Sequence, residues 1–70
     1  MQRTQLGSTA IRSTGYDAAT LLLEIEFTGG GVYEYAAVPA SVHRALLDAP
    51  SHGRYFNRAI RDHFDYRRLG

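Results

Sequence analysis

The 70-residue chain contains no cysteine, no lysine and two prolines. Without cysteine, neither a disulfide nor a thiolate metal site can staple the fold, and the chain suits a reducing cytoplasm. No segment approaches the roughly 18 apolar residues needed to span a bilayer, and the opening "MQRTQLGSTA" lacks the apolar run of a secretory signal. These absences predict a cytoplasmic protein with no membrane partner. So short a chain buries only about 60% of the surface its unfolded form exposes, so it forms at most one domain with a small, carefully filled core.

Formal net charge is +1, which by itself predicts no polyanion partner. Its distribution is uneven. Residues 1–50 carry three arginines against five acids, whereas residues 51–70 carry Arg54, Arg58, Arg61, Arg67 and Arg68 against Asp62 and Asp65. The C-terminal third is therefore a basic patch on a mildly acidic body. Arginine alone supplies the basic side chains, which suits planar, bidentate recognition of phosphate; a lysine-free, alanine-rich composition is also what a GC-rich genome writes.

Residues 1–7 show no period and are expected to form a disordered tail ahead of a single domain over residues 8–70. Ser8–Tyr16, rich in β-branched and small residues, reads as an edge strand. In "LLLEIEF" Leu21, Leu23, Ile25 and Phe27 alternate with Leu22, Glu24 and Glu26, the period of a strand with one buried face. The glycines of "TGGG" can take the positive φ of a hairpin turn, so Val32–Ala37 follows as a third strand. Pro39 suits a helix start, and Val42 and Leu46 recur at helical spacing over Ala40–Ala49 until Pro50 ends the run. Ser51 can cap a second helix, about Gly53–Phe64. There Phe56, Ala59, Ile60 and Phe64 form one stripe and Arg54, Arg58 and Arg61 another. The tail, with Tyr66 and Leu69, is expected to tuck against the body. The predicted fold is α+β: a three-stranded antiparallel β-meander followed by two α-helices packed on one face.

Alternation puts Tyr33 and Tyr35 on one side of their strand, and hairpin register decides which. A two-residue turn at Gly29-Gly30 pairs Phe27 with Val32 and leaves the rings beside Glu24 and Glu26, as an exposed platform. A three-residue turn, Gly29–Gly31, pairs Phe27 with Tyr33 and Ile25 with Tyr35, which turns both rings into the core.

The ordered segments "GYD", "LLLEIEFTGGGVYEYAAVP" and "ALLDAPSHGRYFNRAIRDHFDYRRL" resemble the KTSC domain, a short bacterial domain also found at the C-terminus of some lysyl-tRNA synthetases. The resemblance runs from about Ser8 to Leu69. It is carried by Tyr33 and Tyr35, Val38-Pro39, the run Ser51, Gly53, Tyr55, Phe56 and Asn57, and Ile60-Arg61 with Tyr66 and Leu69. It implies a compact sheet with two helices, and the synthetase context suggests RNA binding. It supplies no reaction.

The chemistry points the same way. Arg54, Arg58 and Arg61, with Arg67 and Arg68, could meet successive phosphates of RNA or another polyanion while Tyr55 or His52 stacks on a base. The competing reading is a solvated charged face, with Arg61 pinning the helix to the sheet through Glu34 or a carbonyl. Protein interaction or self-association through an open sheet face or the edge strand is the alternative function. His43, His52 and His63 match no compact ligand spacing, so no metal or cofactor is expected. A 70-residue fold has little room for a catalytic cleft; any enzymatic site would centre on Ser51, His52, Arg54 and Tyr55.

Overall fold

The computed structural model describes residues 2–70. It is an α+β fold whose antiparallel sheet has five strands rather than three, in the order β1-β2-β3-β4-β5. These are β1 (Arg3–Gln5), β2 (Ile11–Asp17), β3 (Leu22–Phe27), β4 (Val32–Tyr35) and β5 (Tyr66–Arg68). Helix α1 (Ala40–Asp48) and the short α2 (His52–Tyr55) connect β4 to β5, with α2 continuing into a π-helical turn, Phe56–Ile60.

The two added strands come from segments with no readable pattern. All three side chains of β1 and of β5 are exposed, so neither shows apolar alternation. Each exists because the strand beside it has a row of backbone donors and acceptors to satisfy. β1 pairs Arg3 with Gly15 and Gln5 with Ser13. β5 pairs Tyr66 with Tyr35 and Arg68 with Tyr33, and the Leu69 amide donates to the Val32 carbonyl at 2.7 Å.

Local chemistry also moves the ends of the expected elements. β2 begins at Ile11, because the Ser8 hydroxyl accepts the amides of Ala10 and Ile11 and makes Ser8–Ala10 a turn. A bulge between Ile11 and Ser13 inserts Arg12 and so places Ile11 opposite Phe27, in the core. β4 stops at Tyr35, and Ala37 takes φ 58°. The second helix ends at Ile60 instead of Phe64: the Arg61 amide donates to the Phe56 carbonyl five residues back, Arg61 turns extended, and Asp62 enters the left-handed region at φ 65°.

The core lies between one sheet face and the helices. Ile11, Leu23, Ile25 and Tyr35 from the sheet meet Val38, Leu46, Phe56 and Ile60. Leu46 and Ile60 are fully buried, and each such side chain contributes about 1.5–3 kcal/mol relative to exposure. At the helix junction, His52 Nδ1 donates to the Leu46 carbonyl at 2.7 Å, capping the end of α1.

Candidate functional site

The β3–β4 hairpin settles the placement of the tyrosines. Its turn is Thr28–Gly30: the Gly30 amide donates to the Phe27 carbonyl and the Phe27 amide to the Gly31 carbonyl, both at 3.1 Å. Gly30 and Gly31 have φ of 103° and 94°, values that favour glycine. Ile25 pairs with Tyr33 and Leu23 with Tyr35. This is neither of the two expected registers, but it differs by two residues from the three-residue alternative and so keeps the same facing. Both rings therefore lie on the helix side, away from Glu24, Glu26 and Glu34.

Tyr35 is 5% exposed, whereas Tyr33 is half-buried and Tyr66 is 59% exposed. Their rings form a tilted series: Tyr35 to Tyr66 at 5.6 Å and 34°, Tyr33 to Tyr66 at 5.8 Å and 53°. Phe56 meets Phe27 and Tyr35 edge-on at 5.1 and 5.6 Å, the geometry that aromatic quadrupoles favour. Above these rings the structure leaves a cleft of about 490 Å³. Its aromatic side comes from Phe27, Tyr33, Tyr35, Phe56 and Tyr66, and its polar side from Asn57, Arg61 and Asp62.

Asn57, within the π-helical turn, and Arg61, directly after it, both line this cleft; such turns are frequent at functional sites. Gly53 also lines it, at the point where α2 crosses the start of β2: a Cβ there would stand 3.0 Å from the Ala10 Cβ. Burial pushes the Tyr35 hydroxyl up to about 12, helped by Tyr66, Tyr33 and Asp62 and opposed by Arg61. At neutral pH it is a protonated donor.

The π-helical turn and the fifth strand disperse the expected arginine stripe. Arg61 lines the cleft, and the Arg68 guanidinium lies 5.8 Å from the Tyr33 ring centre. Arg58 stands 5.6 Å over Tyr55, and Arg54 is exposed on α2. Arg67 is on the opposite sheet face, its Nε donating to Glu34 at 3.0 Å. The partner of Glu34 is thus Arg67 rather than Arg61. Ser51 and His52 hold structural bonds: the Ser51 hydroxyl accepts the Arg54 amide at 3.3 Å, and His52 is tied to Leu46. Among the described residues no group of three or more metal-ligating side chains converges, and no helix is long and apolar enough to cross a membrane.

Residues 7–64 match the KTSC domain family. The chain belongs to that family. A crystal structure of a KTSC domain protein from Yersinia pestis superposes with a TM-score of 0.96 at 39% identity, covering 99% of this chain and 97% of that one. An uncharacterized protein of Stutzerimonas stutzeri is 46% identical over 70 residues, 99% of both chains. The lysine–tRNA ligase of Nostoc punctiforme is 44% identical over 59 residues, which are 84% of this chain and 10% of that enzyme.

Several residues that carry the KTSC resemblance, Tyr33, Tyr35, Gly53, Phe56, Asn57 and Arg61, line the cleft, far apart in sequence as they are. Pro39 and Ile60 are structural, at the α1 N-cap and in the core. Sequence reasoning left Phe27, Tyr66 and Asp62 out of the site. The tyrosine-arginine pattern of "DYRR" was the available signal for Tyr66, but its pairing beside Tyr35 depends on a long-range contact.

Proposed function

We propose that this KTSC domain is a small non-catalytic module that binds RNA. The observation that carries this reading is the joining of an aromatic cleft to guanidinium groups: Arg61 in its lining and Arg68 over Tyr33, with exposed Arg54 and Arg58 on the same helical segment. Aromatic faces and arginines together are what single-stranded nucleic acid needs, because bases stack and phosphates pair. Tyr55, held beneath Arg58, belongs to this surface, while His52 supports it by anchoring α2. Arg67, paired on the far face, contributes no phosphate contact. The relationship to a segment of lysine–tRNA ligase supports an RNA partner, and the lack of cysteine suits a cytoplasmic location.

Titration of the full chain with tRNA and with unpaired RNA at several salt concentrations tests the reading. Three phosphate contacts on a single strand give a log–log salt slope near −2, or about 20-fold weaker binding at 200 mM than at 50 mM salt. No binding at low ionic strength removes the proposal.

A second reading is self-association through β1, an edge strand with exposed side chains and one unpaired side. Sedimentation showing a monomer at millimolar concentration removes it.

A further inference from the structure

Resting on that RNA-binding reading, we propose that the cleft takes one unstacked nucleobase, with its nucleotide phosphate at Arg61, and is therefore a mononucleotide-sized site. Four observations converge on this ligand class. A volume of about 490 Å³ lies within the range of small-molecule sites. Tyr66 sits on an edge strand with most of its ring exposed, and Tyr33 and Tyr35 back it at 5.8 and 5.6 Å. A flat heterocycle laid on Tyr66 extends this aromatic series and covers the exposed ring.

The Tyr35 hydroxyl adds a polar group to the wall of the cleft. Tyr35 is more than nine-tenths buried, and its hydroxyl faces the charged and phenolic groups of the cleft, Tyr66, Tyr33, Arg61 and Asp62. Among the described residues it has no hydrogen-bond partner, in contrast to the Tyr16 hydroxyl, which donates to the Val38 carbonyl at 2.6 Å. A donor held there protonated suits a carbonyl, ring nitrogen or phosphate oxygen of an incoming nucleotide.

The polar wall matches the remaining groups of that ligand. Asn57 offers an amide donor and acceptor side by side, the pattern that reads a base edge bidentately, best for adenine. Arg61 provides a fork for phosphate, and Asp62 an acceptor for ribose hydroxyls or an exocyclic amine. An aliphatic or hydrocarbon ligand would leave all three unpaired.

The test uses the full-length, isotope-labelled protein titrated separately with AMP, ribose 5-phosphate, a single-stranded oligoadenylate and an RNA duplex, with amide shifts as the readout. Shifts at residues 30–35, 53–62 and 66 with AMP and the oligoadenylate, and weaker ones with ribose 5-phosphate, are expected. Tyr66→Ala, at an exposed position, should weaken AMP binding about tenfold while leaving the folded spectrum intact, and Tyr66→Phe should preserve binding. The free nucleotide and the oligoadenylate distinguish a metabolite from an unpaired base in RNA. Equal shifts from AMP and ribose 5-phosphate would show an anion site with no base reading and overturn the proposal. RNA binding with shifts confined to Arg54 and Arg58 overturns it too, yet leaves RNA binding standing. AMP shifts in the cleft without any RNA binding would uphold the nucleotide site and remove the RNA reading. Silence from all four ligands removes both.

Discussion

Glu24 and Glu34 stand directly opposite one another across β3 and β4, and each takes its counter-ion from a different edge of the sheet. Arg3 of β1 meets Glu24 and Arg67 of β5 meets Glu34. Like charges facing across a ladder are destabilising, so the two short outer strands neutralise a repulsion built into the centre of the sheet. The same face holds Ser13, fully buried, whose hydroxyl donates to Glu26 at 2.9 Å. It is a surface of matched polar pairs, which sets it apart from the aromatic cleft behind it.

The edges should contribute unequally. The Arg67 side chain is 73% exposed and that of Arg3 31%, and exposure weakens an ion pair. Arg67→Ala is expected to cost less than about 0.5 kcal/mol and Arg3→Ala up to about 1 kcal/mol in urea unfolding. Glu24→Gln added to Arg3→Ala should recover part of the loss. Equal costs at both edges would refute this account.

Gly31→Ala should loosen the hairpin and the cleft together. At φ 94° an L-residue costs about 1–2 kcal/mol in conformation alone, and the added Cβ would sit 3.1 Å from Tyr33 Cε1. Gly30→Ala, at φ 103° but with open space around it, should lower the melting temperature less and leave the Tyr33 resonances unmoved.

Gly53→Ala tests the crossing of α2 over β2. Alanine favours a helix over glycine by about 1 kcal/mol, but overpacking against Ala10 costs about 1–3 kcal/mol. The single variant is expected to be less stable, and Ala10→Gly combined with Gly53→Ala to be more stable than the sum of the two changes predicts. Thermal unfolding of the three variants measures the coupling.

His43 should make the fold sensitive to mild acid. Its ring stacks on Tyr16 at 4.8 Å and 16°, its Nε2 is buried without a partner among the described residues, and burial lowers its affinity for a proton from the ordinary value of 6.5. The unfolded chain then binds the proton first as pH falls. Stability present above pH 6.5 is lost below it, down to the depressed folded value. His43→Phe keeps the stack and should flatten the stability profile between pH 7 and 5; an unchanged profile would count against the role.

At the alkaline end Tyr35 has the opposite sign. Raised from 10.0 to about 12, it stays protonated in the fold after the unfolded chain has released its proton, so stability falls as pH rises between those values. A spectrophotometric titration should find one tyrosine resisting ionisation until near pH 12, and Tyr35→Phe should remove that component.

Much of this architecture was legible in order along the chain. The period of two in Leu21–Phe27, the helix bounded by Pro39 and Pro50, and Ser51 as an N-cap are local signals, and β3, α1 and that cap stand where those residues predict them. The glycines also foretold a hairpin, but it closes at Thr28–Gly30, in neither expected register. The resemblance to the KTSC domain extended that reading to nearly the whole chain. The outer strands and the cleft were not legible, because three exposed residues at Arg3–Gln5 or Tyr66–Arg68 carry no period and become strands only when a neighbour offers its backbone.

Sequence by itself determined the α+β class, the helix-capping chemistry and the facing choice posed by Tyr33 and Tyr35, since these depend on residues within a few positions of one another. Tertiary structure decided the register, the five-stranded sheet and the fate of the arginines. Helical spacing placed Arg54, Arg58 and Arg61 on one stripe. The π-helical turn at Phe56–Ile60 instead sets Arg61 with Asn57 in the aromatic cleft, and strand pairing sends Arg67 to the opposite face. Charges move with the backbone that carries them, and that backbone is fixed by hydrogen bonds and packing between segments distant in sequence.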